Sequence, residues 1–139
     1  MNEKFLQNIH KLPADVRREF SLIANTLGEK RKNKSIRTDF LTFVRHVWPD
    51  FIKGSHHKKI ANKFNDLAHG KIKRLIINMP PRHTKSEFGS YLLPAWMVGK
   101  NPKLKIIQST NTTELSVRFG RKAKALIDSP EYQQVFKTT

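Results

Sequence analysis

The chain has 139 residues and no cysteine, which excludes disulfide scaffolds and thiolate metal sites. No apolar run approaches the roughly 18 residues of a membrane-spanning helix, and the first residues lack the apolar core of a secretory signal. Lys and Arg number 27 against 11 Asp and Glu, a formal charge of +16 with a pI near 10.4, so the chain repels its own copies and attracts polyanions, nucleic acid first.

Phe5 and Ile9 open a short helical pattern. Val16, Phe20, Ile23 and Leu27 then recur at helical spacing, with Pro13 suited to the first turn and Gly28 to the stop. Five Lys or Arg fall among the eight residues from Lys30 to Arg37, which reads as a charged linker, either solvated or touching phosphate. Thr38 is expected to cap a second helix carrying Phe40, Val44, Val47 and Trp48, ended by Pro49. A third helix is expected from about Ser55 to His69, burying Ile60, Phe64 and Leu67 and closed by Gly70.

The pattern then changes. Leu75, Ile76 and Ile77 form a short continuous apolar run, as does "LKIIQST" from Leu104 to Thr110; both predict strands buried on both faces. Between them a helix is expected from near Ser86 to Val98, stopped by Gly99 and kinked at Pro94. Thr112 or Thr113 caps a last helix to about Asp128, with Leu115, Phe119, Ala123 and Leu126 on the face turned to a sheet. The expected fold is α/β: N-terminal helices, then a partial P-loop NTPase sheet of order β-α-β-α. Residues 1–35 form a helical region with a basic linker, and 36–139 the sheet-bearing domain.

The ligand site of such a sheet lies at the carboxyl ends of its strands, where this chain reads "NMPPRHTKSEF". A phosphate loop of the form G-x-x-x-x-G-K-[ST] aligns with Lys85 and Ser86 and puts Met79 and Thr84 at the glycine positions. The physical needs are backbone N–H groups at a helix start, a lysine for the β- and γ-phosphates and a hydroxyl for Mg²⁺. Lys85 and Ser86 meet them, and Arg82 and His83 add donors. Thr84 pays a conformational cost if its φ is positive. The alternative is a basic turn that binds nothing.

Residues 36 to 136, through "RLIINMPPRHTKSEF", "LPAW" and "ELSVRFGRK", resemble the ATPase domain of the large terminase subunit of tailed bacteriophages, whose loop usually reads P-P-R-H-G-K-S. The resemblance implies an ATP-driven motor that pumps double-stranded DNA into a capsid in the host cell cytoplasm, with portal protein and small terminase subunit as partners. It assigns ATP and Mg²⁺ as cofactors, Lys85 to the phosphates, Ser86 to Mg²⁺ and Arg82 to the γ-phosphate. His56 or His57 would meet the adenine, and Arg118, Arg121 and Lys122 would face DNA or a neighbouring subunit's nucleotide.

The acids that follow the loop are Glu87, Glu114, Asp128 and Glu131, and none ends an apolar strand. A hydrolytic ATPase of this kind holds Mg²⁺ with such a carboxylate, and a nuclease needs a cluster of them. The expectation is therefore the front part of a motor, binding nucleotide but not hydrolysing it alone, with the remaining part of the large subunit as a further partner. The competing expectation is a non-enzymatic, basic nucleic-acid-binding or regulatory fragment.

Overall fold

A computed structural model describes residues 13–136, so the Phe5 and Ile9 pattern lies outside the described residues. Six helices account for all regular structure among them: α1 (Ala14–Thr38), α2 (Phe40–Val47), α3 (Ser55–Ala68), α4 (85–100), α5 (Thr113–Ile127) and α6 (Pro130–Val135). The chain divides into two compact units, Met1–Lys34 and Ser35–Thr139. No helix among the described residues is long and apolar enough to cross a membrane.

Helix α1 continues through Gly28 and the basic run, where a stop and a linker were expected. A single interior glycine costs about 1 kcal/mol, and the Lys, Arg and Glu around it are good helix formers. In the first unit α1 leaves Leu22, Ile23 and Leu27 exposed.

Asp39, rather than Thr38, caps α2. Its carboxylate accepts from the Thr42 N–H at 2.8 Å and from the Thr42 hydroxyl at 2.7 Å. The Asn65 amide donates to the other Asp39 oxygen at 2.8 Å, and its own oxygen accepts from the Phe40 N–H at 2.8 Å. One residue of α3 is thereby stitched to the head of α2. Partial burial, the largest influence, works to raise the Asp39 pKa, but the hydrogen bonds from Thr42 and Asn65 together hold it below its ordinary value. A depressed carboxyl contributes stability that is present above the unfolded pKa of about 3.9 and is lost as pH falls through the folded value. Asp39→Ala is expected to cost about 1–2 kcal/mol at neutral pH and less below pH ~4, which melting curves at the two pH values will read.

The second unit closes around aromatic rings. Phe40 meets Phe64, Phe88 and Trp96 edge-on at centroid distances of 5.1, 5.5 and 5.5 Å. Such pairs add about 0.5–1.5 kcal/mol each beyond the area they bury. The buried polar tips are satisfied: Trp96 Nε1–H donates to the Ile36 carbonyl at 3.0 Å, and the Tyr132 hydroxyl to Ala95 at 2.8 Å. Gly99 lies inside α4 rather than ending it. A Cβ there would stand 2.5 Å from the Tyr132 oxygen and 2.6 Å from the Phe136 ring, so its lack of a side chain lets α6 and its flank approach.

Helix α4 takes Pro94 in its stride by widening. Residues Phe88–Leu92 form a π turn, and the Leu93 N–H bonds the Phe88 carbonyl five residues back. In a regular α register the proline ring would press on the Ser90 carbonyl.

The expected parallel sheet is absent: the described residues contain no strand. Segments 74–78 and 104–109 have no regular secondary structure; a ladder needs a second backbone about 4.8 Å away, and among the described residues none pairs with either. Leu75 and Ile77 pack against the core while Ile76 points outward, so the run is covered on one face instead of two. The predicted α/β fold is thus replaced by an all-helical one. The apolar face of α5 packs on α4 instead of a sheet, with Phe119 buried.

Candidate anion site at the head of helix α4

The chain leaves the irregular segment 74–78, crosses Pro80 and Pro81, and turns into α4 through two residues of left-handed backbone, Arg82 (φ 64°) and Thr84 (φ 57°). Neither is glycine. Left-handed backbone costs an ordinary residue about 1–2 kcal/mol, so the loop holds this shape against local preference. The following N–H groups, those of Lys85, Ser86 and Glu87, have no acceptor among the described residues, and Thr84 supplies no side-chain cap. Unpaired N–H groups at a helix head attract anions.

These groups border a hollow of about 260 Å³ lined by residues 80–87 and by Arg118 of α5. Sites that enclose a whole drug-sized ligand run to roughly 300–1,000 Å³. The hollow suits a chain of phosphates and leaves a nucleoside outside. Three cations face it: Arg82, Lys85 and Arg118. Lys85 folds back over the loop, its Nζ 3.5 Å from the Met79 carbonyl at the opposite end of the turn. The one carboxylate in the wall, Glu87, is held by Lys122 with both oxygens within 3.1 Å of Nζ. The nearby Tyr91 hydroxyl has its pKa pushed up to about 12, by burial first and then by the Glu87 charge.

His57 braces the loop from behind. It is only 6% exposed, and its Nδ1 accepts from the Gly54 N–H at 2.8 Å, half of a capping box at the start of α3. That acceptor role puts the ring proton on Nε2, which lies 2.7 Å from the Thr84 hydroxyl oxygen and 3.0 Å from His56 Nε2. The Thr84 hydroxyl donates to the His83 carbonyl at 2.7 Å, so its oxygen accepts from His57. Burial, then the neighbouring His56 and His83, lower the His57 pKa and keep the ring neutral.

Of the residues expected at the site, Arg82, His83, Thr84, Lys85 and Ser86 share one wall. The structure adds Arg118, which had been assigned outward to DNA or a neighbouring subunit. Lys122 is drawn inward to Glu87, while Arg121 is exposed and lies outside the hollow. His57, expected to meet the adenine, is buried, with both ring nitrogens engaged within the protein. The role of Glu87 was missed. The signal for it was available, since Arg118 and Lys122 stand four residues apart on one face of α5 and face the same wall.

Among the described residues no group of three or more His, Asp or Glu side chains could hold a metal. Mg²⁺ commonly binds through substrate phosphates and water with one or two protein ligands, and the Ser86 hydroxyl in the wall fits that lesser role. Searches of protein-family models, of curated proteins and of solved structures find no match to this chain.

Proposed function

We propose that the hollow binds the phosphate chain of a nucleoside triphosphate, and that the chain is the nucleotide-binding front part of a DNA-packaging motor ATPase of the terminase large-subunit kind. The observation that carries this is convergence: Arg82, Lys85, Arg118 and the free N–H groups at the head of α4 all line one small hollow. Recognition of phosphate by N–H groups and cations needs no sheet beneath the loop. Lys85 and Arg118 approach from separate helices and would clamp the terminal phosphates, with Arg82 beside them.

The proposed cofactors are ATP and Mg²⁺. The metal would arrive on the triphosphate and take Ser86 as one ligand, neutralising phosphate charge. Glu87 is committed to Lys122, so no carboxylate in the hollow is poised to hold or activate a water. The chain on its own is therefore proposed to bind nucleotide without hydrolysing it. Double-stranded DNA, portal protein, the small terminase subunit and the remaining part of the large subunit are its proposed partners, in the host cell cytoplasm.

Fluorescence anisotropy of a labelled ATP analogue tests the binding claim. Inorganic tripolyphosphate should displace the probe and adenosine should not. Displacement by adenosine, or no saturable binding, would remove the hollow as a triphosphate site.

A second reading is favoured by the +16 charge itself. A basic protein that only grips the DNA backbone would bind it without sequence preference, and log K would fall linearly with log salt by about 0.9 per phosphate neutralised. On that reading a salt titration with duplex DNA should give the same slope and affinity when tripolyphosphate is present at low concentration. Competition between the two ligands would instead place DNA phosphate in the hollow.

A further inference from the structure

We infer that the contact between His56 and His57 is a proton-operated brace, which holds the loop 80–84 in shape while both rings are neutral and releases it when His56 takes up a proton. The Gly54 N–H donates to His57 Nδ1 at 2.8 Å, so the single proton of the neutral His57 ring sits on Nε2. That N–H faces two atoms, the Thr84 hydroxyl oxygen at 2.7 Å and His56 Nε2 at 3.0 Å. The Thr84 hydroxyl donates its own hydrogen to the His83 carbonyl. His56 Nε2 therefore fits here only as an acceptor, without a proton. A proton added there sets two N–H groups head to head at 3.0 Å. The rings have little room to part. His56 lies over Gly54, where a Cβ would stand 2.7 Å from its Cε1, and the Phe51 and Phe88 rings close on His57 at centroid distances of 4.7 and 5.2 Å.

The surroundings give a His56 cation no compensation. The His83 ring stands 5.6 Å away with Arg82 next to it in the loop, and Lys53 and Lys59 lie three residues to either side in sequence. The carboxylates of the flanking elements are Asp50 before α3, Asp66 with Lys63 and Lys71, and Glu87 with Lys122; none pairs with His56. Losing the brace takes from Thr84 the bond that supports its left-handed backbone, and the N–H groups after it lose their alignment. Anion affinity then falls in acid. Plain charge attraction has the opposite sign, since protonated imidazoles beside the hollow would tighten an anion. The effect on anions rests on the triphosphate site proposed above; the release of Thr84 does not.

Nuclear magnetic resonance on the isotope-labelled full chain reads both. The Thr84 Cα and Cβ shifts report its backbone shape. The amides of Lys85, Ser86 and Glu87 report binding of inorganic sulfate, which keeps its charge throughout the imidazole range. Between pH ~7.5 and ~5.5 Thr84 should leave its left-handed shifts. Sulfate affinity should fall about three- to tenfold, the scale of one net hydrogen bond. His56→Gln keeps an acceptor but takes up no proton, so it should keep the left-handed shifts and lose at most about twofold in affinity. His83→Gln should behave as the native chain. Affinity that rises in acid overturns the proposal, and so do Thr84 shifts that stay left-handed at the lower pH. An equal acid loss in His56→Gln overturns it by placing the sensor elsewhere. Release of Thr84 in His56→Gln already at the higher pH overturns it too, by making the ring a prop and not a switch. If Thr84 is released as expected but sulfate moves no amide at either pH, the brace stands and the triphosphate reading fails.

Discussion

Lys85→Ala is expected to weaken binding of the labelled triphosphate about 10- to 100-fold while leaving the helical fold unchanged. A hydrogen bond to a charged group is worth about 1.5–3 kcal/mol, which corresponds to that range. Lys85 is exposed, and its Nζ meets only the Met79 carbonyl at a long 3.5 Å, so little native packing goes with it. Alanine is also the better helix former at the start of α4. Arg118→Ala should cost less, because Arg118 reaches the hollow from α5, whereas Lys85 sits at the head of α4 beside the N–H groups that would share the phosphate. Anisotropy titrations at one ionic strength, with circular dichroism alongside, read both effects. If affinity is unchanged in Lys85→Ala but lost in Arg118→Ala, phosphate is held by α5 and the loop is a bare basic turn.

The sequence signalled those parts of the molecule that depend on neighbours a few residues away. The helical period of Ile60, Phe64 and Leu67 sits on α3, with Gly70 (φ 72°) at the turn after it, and Leu115 and Phe119 line the inner face of α5 as their spacing implies. Arg82 to Ser86 are consecutive, so their shared wall was legible too. The strands were not, because a strand exists only with a partner backbone. The apolar runs at 75–77 and 104–107 carry strand propensity without stating what pairs with them. The competition between Thr38 and Asp39 for the head of α2 was settled by Asn65, 26 residues away from Asp39. The same distance problem hid His57, whose partner Thr84 lies 27 residues on.

That pair gives the other large expected effect. Thr84 occupies left-handed backbone, a shape that favours glycine, and the His57 Nε2–H bond at 2.7 Å is what its hydroxyl receives in exchange. His57→Ala removes this bond and the one from Gly54, and leaves a gap beside Phe51 and Phe88. It is expected to destabilise the second unit by about 2–4 kcal/mol and to weaken triphosphate binding as Thr84 leaves its backbone well. Thr84→Gly relieves about 1–2 kcal/mol of left-handed strain but gives up the same hydrogen bond, so its own effect on stability is small. With Thr84→Gly already in place, His57→Ala should no longer change triphosphate affinity, though the loss at Gly54 persists in the melting temperature. This separates bracing of the loop from bracing of α3, with a coupling of about 0.5–3 kcal/mol expected between the two sites. Additive effects on affinity would mean that His57 supports α3 alone. The pH dependence has a definite sign. Burial, then His56 and His83, lower the His57 pKa, so it contributes stability above the unfolded histidine value of about 6.5, and this is lost as pH falls through the folded value. Protonation would put a second donor on Nδ1, facing the Gly54 N–H at 2.8 Å. Melting temperature should therefore fall between pH ~7 and ~5 in the native chain, and by clearly less in His57→Ala, because the acceptor facing Gly54 is already gone there.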